Sequence, residues 1–287
     1  MLLNPPSEPM AHSTSIFDLP KIDCHCHILD PQTFPYRADT RYRPAGQETG
    51  SADYFKHVLA SYGVKHALLV GPNSGYGLDN RCMLSAIAHS DGIFKGIAVV
   101  TNDASAAELQ DLQAQGVVGV AFNMALHGLA HYSDIGPLLN RIAALGMFAQ
   151  VQVEGPQMQA LLPMLMASGA HILVDHCGRP AVALGAAEPG FADILRLGAS
   201  GRATVKLSGL QKFSATEFPF SDAQWVVREL LQAYGPAHCL WASDWPFLKA
   251  ERRLDYGPLL KRFESLVPDA ADRQAILWDT PKKLFSF

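Results

Sequence analysis

Three histidines and one aspartate lie at the ends of short apolar runs, where their side chains could do chemistry. His25 and His27 close the first run, His176 the sixth and Asp244 the eighth. Because side chains alternate along a strand, His25 and His27 are expected to point to one side. Three imidazoles and a carboxylate can bind a divalent ion, or polarise a carbonyl beside a general base. One His-x-His pair is often incidental, but four such residues at strand ends favour a functional site.

The runs that carry these residues number eight and are rich in β-branched side chains. They span 21–27, 64–70, 93–100, 117–123, 147–153, 171–176, 203–208 and 239–244. Stretches with apolar residues at helical spacing separate them, near 53–62, 79–90, 104–115, 134–145, 156–169, 190–199, 221–234 and 256–267. Alternation of strands and helices predicts right-handed βαβ units around a parallel sheet.

Eight such units predict one α/β domain, a (β/α)8 TIM-type barrel over residues 21–287. An open, doubly wound sheet would give a similar pattern. The strand-end polar residues favour the barrel, because its carboxyl strand ends meet at one mouth, where active sites lie. Residues 1–20 contain four prolines and no Lys or Arg, which predicts an extended or disordered leader.

Composition excludes several classes of protein. The chain has 287 residues, 48% of them hydrophobic, which suffices for a large buried core. A net charge of −4 without basic runs argues against nucleic-acid binding. No apolar run reaches the roughly 18 residues of a membrane span, and residues 1–20 lack a secretory pattern. We therefore expect a cytoplasmic protein whose five cysteines are reduced and buried. Its assembly stays open, a homodimer being one option.

Five motifs together resemble the amidohydrolase superfamily, and within it the 2-pyrone-4,6-dicarboxylate lactonase-like branch. They are Asp23-x-His25-x-His27, His176-x-Gly178-x-Pro180, Ser243-Asp244-Trp245-Pro246, Asp79-Asn80-Arg81 and Lys206-Leu207-Ser208-Gly209. The resemblance implies a distorted (β/α)8 barrel that hydrolyses a lactone. It also implies that His25, His27 and His176 polarise the carbonyl while Asp244 activates water.

The cofactor is left open by the residues. Residues 148–154, which include most of the fifth run, contain neither the lysine nor the histidine of a binuclear amidohydrolase. Either one divalent ion binds His25, His27, His176 and Asp244, or no cofactor is required. The ligand set suits Zn²⁺. The resemblance allows both cases, since the branch includes a pyrone lactonase that works without a metal and sulfomuconolactone hydrolases that are described as zinc proteins.

Substrate contacts are expected from loops after the strands. The candidates are Tyr42, Ser74, Tyr76, Asn123, Arg179 and Lys212. Arg179 could equally fix its own Gly-Arg-Pro turn. Ala121 stands where the pyrone dicarboxylate enzyme of the branch has an arginine, and Lys212 falls near another such arginine. A small lactone with fewer or different anionic groups, derived from an aromatic compound or a sugar, is therefore the expected substrate.

Other functions remain alternatives at this point. A lactone isomerase or a decarboxylase of the same superfamily would share the His-x-His pair and the final aspartate. A non-catalytic binding protein on a decayed barrel is a further option. The intact set of three histidines and one aspartate argues against it.

Overall fold

The computed structural model describes residues 15–287. Its eight strands are parallel and pair in chain order, each with the next. They are β1 (Lys21–Cys26), β2 (Val64–Val70), β3 (Phe94–Ala98), β4 (Val117–Asn123), β5 (Phe148–Gln152), β6 (His171–Val174), β7 (Ala203–Lys206) and β8 (Cys239–Leu240). Each strand begins within one residue of its predicted run, and the prediction of a (β/α)8 barrel is confirmed.

The barrel closes through the segment that follows β8, which runs beside β1. The Asp244 amide donates a hydrogen bond to the His25 carbonyl at 2.9 Å. The His27 amide donates to the Trp245 carbonyl at 2.8 Å. These bonds place Asp244 directly beside the two histidines of β1.

Helices follow the strands as predicted. They are α1 (Ala52–Ser61), α2 (Arg81–Ala88), α3 (Ala106–Ala114), α4 (Met124–His127), α5 (Gly136–Ala144), α6 (Gln157–Ala167), α7 (Pro189–Ala199), α8 (Gln224–Tyr234), α9 (Tyr256–Leu266), α10 (Ala270–Gln274) and α11 (Thr280–Phe285). The eight predicted helices are present, with ends within three residues of the prediction. The short α4, α10 and α11 lie outside the prediction, because one or two turns are too short for an apolar period.

The C-terminal residues close the amino end of the barrel. Ile22, Leu68, Ile97, Leu173 and Leu240 belong to one buried apolar cluster inside the barrel. The side chain of Phe285 in α11 joins this cluster, and its ring lies 5.3 Å from that of Phe148 at the start of β5. The Lys95 ammonium at the start of β3 donates to the Phe285 carbonyl at 2.6 Å. The end opposite the predicted site is thereby sealed.

The burial of Phe285 at the amino end of the barrel is expected to contribute strongly to stability. Replacing Phe285, which is 2% exposed, with alanine is expected to lower the free energy of unfolding by about 3–5 kcal/mol, because a large cavity opens inside the barrel. Urea denaturation measures the change. The matched control is Phe218→Ala at a half-exposed phenylalanine, which should cost about 1 kcal/mol or less. Equal losses in the two variants would contradict the seal.

The described part of the predicted leader packs on the barrel. The side chain of Ile16 is fully buried in the main core. Residues 1–14 of the predicted leader lie outside the described residues, and the domain boundary at residue 21 stays a prediction. Among residues 15–287, no helix has the length and apolar character needed to cross a membrane. The five cysteines are buried and free of disulfides, as expected.

Candidate active site

The predicted histidines and aspartate meet at the carboxyl end of the barrel. Strand β1 carries His25 near its end, with His27 just beyond it. The pairing of β1 with β2 shifts in register between Asp23 and Cys26, the stretch that contains His25. His176 lies two residues beyond β6, and Asp244 lies four residues beyond β8. All four line a cavity of about 670 Å³.

Three imidazole nitrogens face one oxygen of the Asp244 carboxylate. The Nε2 atoms of His25, His27 and His176 lie 3.8, 3.7 and 3.6 Å from Asp244 Oδ1. Such separations are too long for hydrogen bonds. Two atoms that are each about 2.0–2.2 Å from one zinc ion lie up to about 4 Å apart, so each of these nitrogens is close enough to Asp244 Oδ1 to share an ion with it. The ligand atoms of His25, His176 and Asp244 lie within 4.8 Å of one another, so these three form a group that could hold a metal ion, and His27 lies outside this group.

Each histidine has a partner for its other ring nitrogen. His27 Nδ1 lies 2.8 Å from the Val70 carbonyl, which can only accept a hydrogen bond. In the neutral ring the proton is therefore on Nδ1, and Nε2 has a free lone pair. His25 Nδ1 lies 3.1 Å from Asp175 Oδ1, and His176 Nδ1 lies 3.1 Å from Ser208 Oγ. Partners that can accept are typical of metal-binding histidines.

Two of the four residues have a left-handed backbone. His176 has φ 48° and Asp244 has φ 62°, a conformation that costs energy for residues other than glycine. Gly209 packs against the His176 ring so closely that a Cβ there would lie 2.6 Å from ring atoms. The glycine of the Ser208-Gly209 motif is thus required by the position of His176.

A buried carboxylate holds the Asp244 segment in place. Asp23 Oδ1 accepts a hydrogen bond from the Ser243 amide at 3.0 Å, and Asp23 Oδ2 accepts from the Ser243 hydroxyl at 2.5 Å. The Tyr256 hydroxyl of α9 donates to Asp23 Oδ2 at 2.8 Å. The first residue of the Asp-x-His-x-His motif therefore fixes the residue just before Asp244.

The Asp244 carboxylate is held in its ionised form. The Lys212 ammonium lies 2.7 Å from Asp244 Oδ2. Burial raises the pKa of Asp244, but the nearby Lys212 and His176 outweigh it and hold that pKa well below its usual value. Burial likewise lowers the pKa of His25 to about 4, which leaves a neutral imidazole at neutral pH. The site thus combines a neutral His25 imidazole with an ionised Asp244 carboxylate.

This arrangement can be compared with known proteins. The amidohydrolase family model matches residues 22–287. The chain belongs to the amidohydrolase family. It is 30% identical over 295 residues to a 4-sulfomuconolactone hydrolase of Rhizobium radiobacter, covering 98% of this chain and 96% of that protein. It is 28% identical over 284 residues to a 2-pyrone-4,6-dicarboxylate hydrolase of Comamonas testosteroni, covering 94% and 92%.

A solved structure has the same fold. It is a probable 2-pyrone-4,6-dicarboxylic acid hydrolase from Acinetobacter baumannii with citric acid bound. It matches this amidohydrolase with a TM-score of 0.81 and 27% identity, over 93% of this chain and 99% of that one. The predicted membership of the lactonase-like branch of the amidohydrolase superfamily is confirmed.

Three buried residues of this amidohydrolase, Lys206, Asp175 and Gln150, extend the site beyond the set predicted from the sequence. Lys206 Nζ lies 2.9 Å from Asp175 Oδ1 and donates to Gln150 Oε1 at 2.6 Å. Gln150 Nε2 donates to Asp175 Oδ2 at 2.8 Å. A lysine in an otherwise apolar strand is a signal that could have found Lys206, since lysine is rarely fully buried unless paired.

The predicted substrate contacts divide into two groups. Ser74, Asn123, Arg179 and Lys212 line the cavity. Three of these four are already engaged. Asn123 Oδ1 accepts from the Leu126 amide at 3.0 Å and caps α4. Arg179 pairs with Glu154 at 2.9 Å, and Lys212 pairs with Asp244.

Tyr42 and Tyr76 form the second group, because within the described part of the chain neither lines the cavity. The Tyr42 hydroxyl donates to Glu48 Oε2 at 2.5 Å. Tyr76 is 1% exposed, and its hydroxyl accepts from the Asp30 amide at 3.1 Å. Each tyrosine fixes a loop, and loop length alone could not distinguish this from a substrate contact.

Proposed function

We propose that this amidohydrolase opens a lactone ring, with Asp244 as the general base for the attacking water. The observation that carries the proposal is the convergence of three imidazole Nε2 atoms on one Asp244 oxygen, at 3.6–3.8 Å. An ester carbonyl needs positive charge or donors where its oxyanion develops, and a base near the water. Relatives named 4-sulfomuconolactone hydrolase and 2-pyrone-4,6-dicarboxylate hydrolase support a cyclic ester as the substrate.

We further propose that His25, His27, His176 and Asp244 hold one divalent ion, with zinc the best match to three nitrogens and one oxygen. The chemistry of the donors supports this. In the neutral form of His27 the ring proton lies on Nδ1, against the Val70 carbonyl, and the Nε2 lone pair then faces the Asp244 carboxylate. A cation between them satisfies both groups. When bound, the ion would polarise the carbonyl and lower the pKa of a water.

The chain's own residues then move the proton. As the water oxygen bonds to the carbonyl carbon, the Asp244 carboxylate takes one proton from that water. The tetrahedral adduct collapses, and the ring carbon–oxygen bond breaks. Asp244 returns its proton to the departing oxygen, which leaves an open-chain hydroxy acid or its tautomer. Asp23 and Ser243 hold Asp244 where this transfer occurs.

The charges of the cavity limit the substrate. Arg179 pairs with Glu154, Lys212 with Asp244, and Arg252 with Glu217. Arg253 also lines the cavity and pairs with Asp255. Among the described lysines and arginines of the lining, Lys249 alone has no carboxylate partner, and Ala121 adds no charge. We therefore propose a lactone with at most one anionic substituent.

A specificity prediction follows from this pairing. We expect kcat/KM for 2-pyrone-4,6-dicarboxylate to fall about 10–100-fold below that for a singly charged lactone, because a buried carboxylate without a partner costs about 1–3 kcal/mol. Ala121→Arg, which introduces a cation, should bring kcat/KM for the dicarboxylate closer to that for the singly charged lactone. Initial rates on both substrates measure it. Equal rates in the unmodified enzyme would contradict the argument from charge.

The proposed activity is tested on a panel of neutral, carboxylated and sulfonated lactones. Hydrolysis releases acid, so a pH indicator should report turnover on at least one member. Nuclear magnetic resonance of the product should reveal a ring-opened hydroxy acid or its tautomer. A product that is an isomeric lactone, or no turnover across the panel, would overturn the proposal.

A further inference from the structure

Beneath the three histidines lies a buried polar cluster formed by Lys206, Asp175 and Gln150. Asp175 and Gln150 border the floor of the cavity, and Lys206 lies behind them. Lys206 is fully buried, Gln150 is 1% exposed and Asp175 is 2% exposed. A buried carboxylate needs compensation, which Lys206 supplies. The ion pair, however, lies directly against one of the proposed metal ligands, His25.

The cluster is a closed triangle. Lys206 Nζ contacts Asp175 Oδ1 and Gln150 Oε1, and Gln150 Nε2 returns to Asp175 Oδ2. Both carboxylate oxygens of Asp175 are thus held by separate donors on β5 and β7. A carboxylate held at both oxygens cannot rotate away from its third partner, the His25 ring, at 3.1 Å.

His25 Nδ1 lies between two partners with opposite demands. Asp175 Oδ1 is 3.1 Å away and, when ionised, can only accept a hydrogen bond. Lys206 Nζ is 3.2 Å away and can only donate. A proton on Nδ1 leaves Nε2 as a free lone pair, whereas an unprotonated Nδ1 places the proton on Nε2. The choice decides whether His25 can be a metal ligand.

We propose that Lys206 is a positioning residue which, by holding Asp175 against His25, keeps the His25 proton on Nδ1 and presents the Nε2 lone pair to a divalent metal ion. The geometry at Nε2 agrees with this tautomer. At 3.8 Å from Asp244 Oδ1, an N–H on Nε2 would make no hydrogen bond. This inference rests on the proposed metal-dependent function.

The test compares two fully buried lysines. In Lys206→Met, zinc affinity, measured by competition with a chromophoric chelator, should fall about 10–100-fold, as for lost partners of metal ligands. The matched control is Lys21→Met. Lys21 is also fully buried, but its Nζ lies on the backbone carbonyls of Phe17, Leu19 and Tyr62 at the other end of β1. The control should lose stability and keep wild-type zinc affinity.

A spectroscopic measurement distinguishes an effect of Lys206 on the His25 tautomer from a general effect on the stability of the fold. Spectra of ¹⁵N-labelled imidazoles, recorded without metal, should place the His25 proton on Nδ1 in wild type and in Lys21→Met. In Lys206→Met the proton should redistribute toward Nε2. An unchanged tautomer in Lys206→Met, or wild-type zinc affinity in that variant, would overturn the inference.

The variant Asp175→Asn provides a second test in case Lys206→Met folds poorly. Combining the two substitutions in a double-mutant cycle tests whether Lys206 acts on His25 through Asp175. Asp175→Asn, which preserves side-chain volume, should itself lower zinc affinity about 10–100-fold. The double variant should lose no more than the larger single loss, whereas multiplied losses would contradict action through Asp175. Lactone turnover by wild type is measured in parallel. If wild type hydrolyses a lactone and the variants bind zinc as tightly as wild type, the role of Lys206 is wrong while the proposed function stands. No turnover with the predicted zinc losses would defeat the proposed function alone.

Discussion

Replacing Asp244 with asparagine is expected to lower kcat for lactone hydrolysis by about 10²–10⁴-fold. The amide keeps the size of the side chain but cannot take a proton from water. The Asp244 carboxylate is 2% exposed and ionised, so the wild-type group is ready to act as base. Steady-state kinetics measure the loss, and equilibrium binding of the substrate should remain detectable.

Because Asp244 is also a proposed metal ligand, zinc content must be measured on the same sample. A variant that retains zinc and loses turnover supports the role of general base. A matched control is Asp53→Asn on α1, whose side chain is 89% exposed and does not line the cavity. Near-wild-type kcat in Asp244→Asn would show that another group takes the proton.

The strands were predictable because most of them are short runs dominated by buried apolar residues. The run at Val64–Val70 coincides with β2, and that at Val117–Asn123 coincides with β4. Parallel strands enclosed by helices impose this composition. In contrast, α4 owes its single turn to the cap from Asn123, and the seal by Phe285 depends on contacts distant in sequence. Neither the cap of α4 nor the packing of Phe285 produces a periodic pattern of apolar residues in the sequence.

The position of the site was predictable from the sequence, but the contacts between its side chains were not. Barrel topology alone brings His176 and Asp244 to the same mouth as His25. The pairing of Lys212 with Asp244 depends on how far a flexible side chain reaches after β7. The contact between Lys206 and His25 spans 181 positions of sequence and depends on which face of β7 is inward. Spacing within one motif carries no information about either distance.

Removing metal from the enzyme is expected to abolish lactone hydrolysis, with a loss of about 10²–10⁴-fold that added Zn²⁺ restores. Stabilisation of the charge on a carbonyl oxygen by a metal ion is worth several kcal/mol, and each 1.36 kcal/mol is about tenfold in rate. Without an ion, the His27 Nε2 lone pair has no proton to offer that oxygen, because its ring proton is bound to the Val70 carbonyl.

Dialysis against a chelator, followed by metal analysis and kinetics on the same sample, makes the measurement. Thermal unfolding supplies a readout independent of activity. An ion that binds the folded state alone adds about 2.7 kcal/mol when its concentration is 100 times the dissociation constant. Zn²⁺ should therefore raise the melting temperature of wild type and have a much smaller effect on His27→Ala. Full activity in protein containing less than about one zinc per ten chains would contradict the metal site. The imidazoles would then have to polarise the carbonyl directly, with His25 and His176 as the donors.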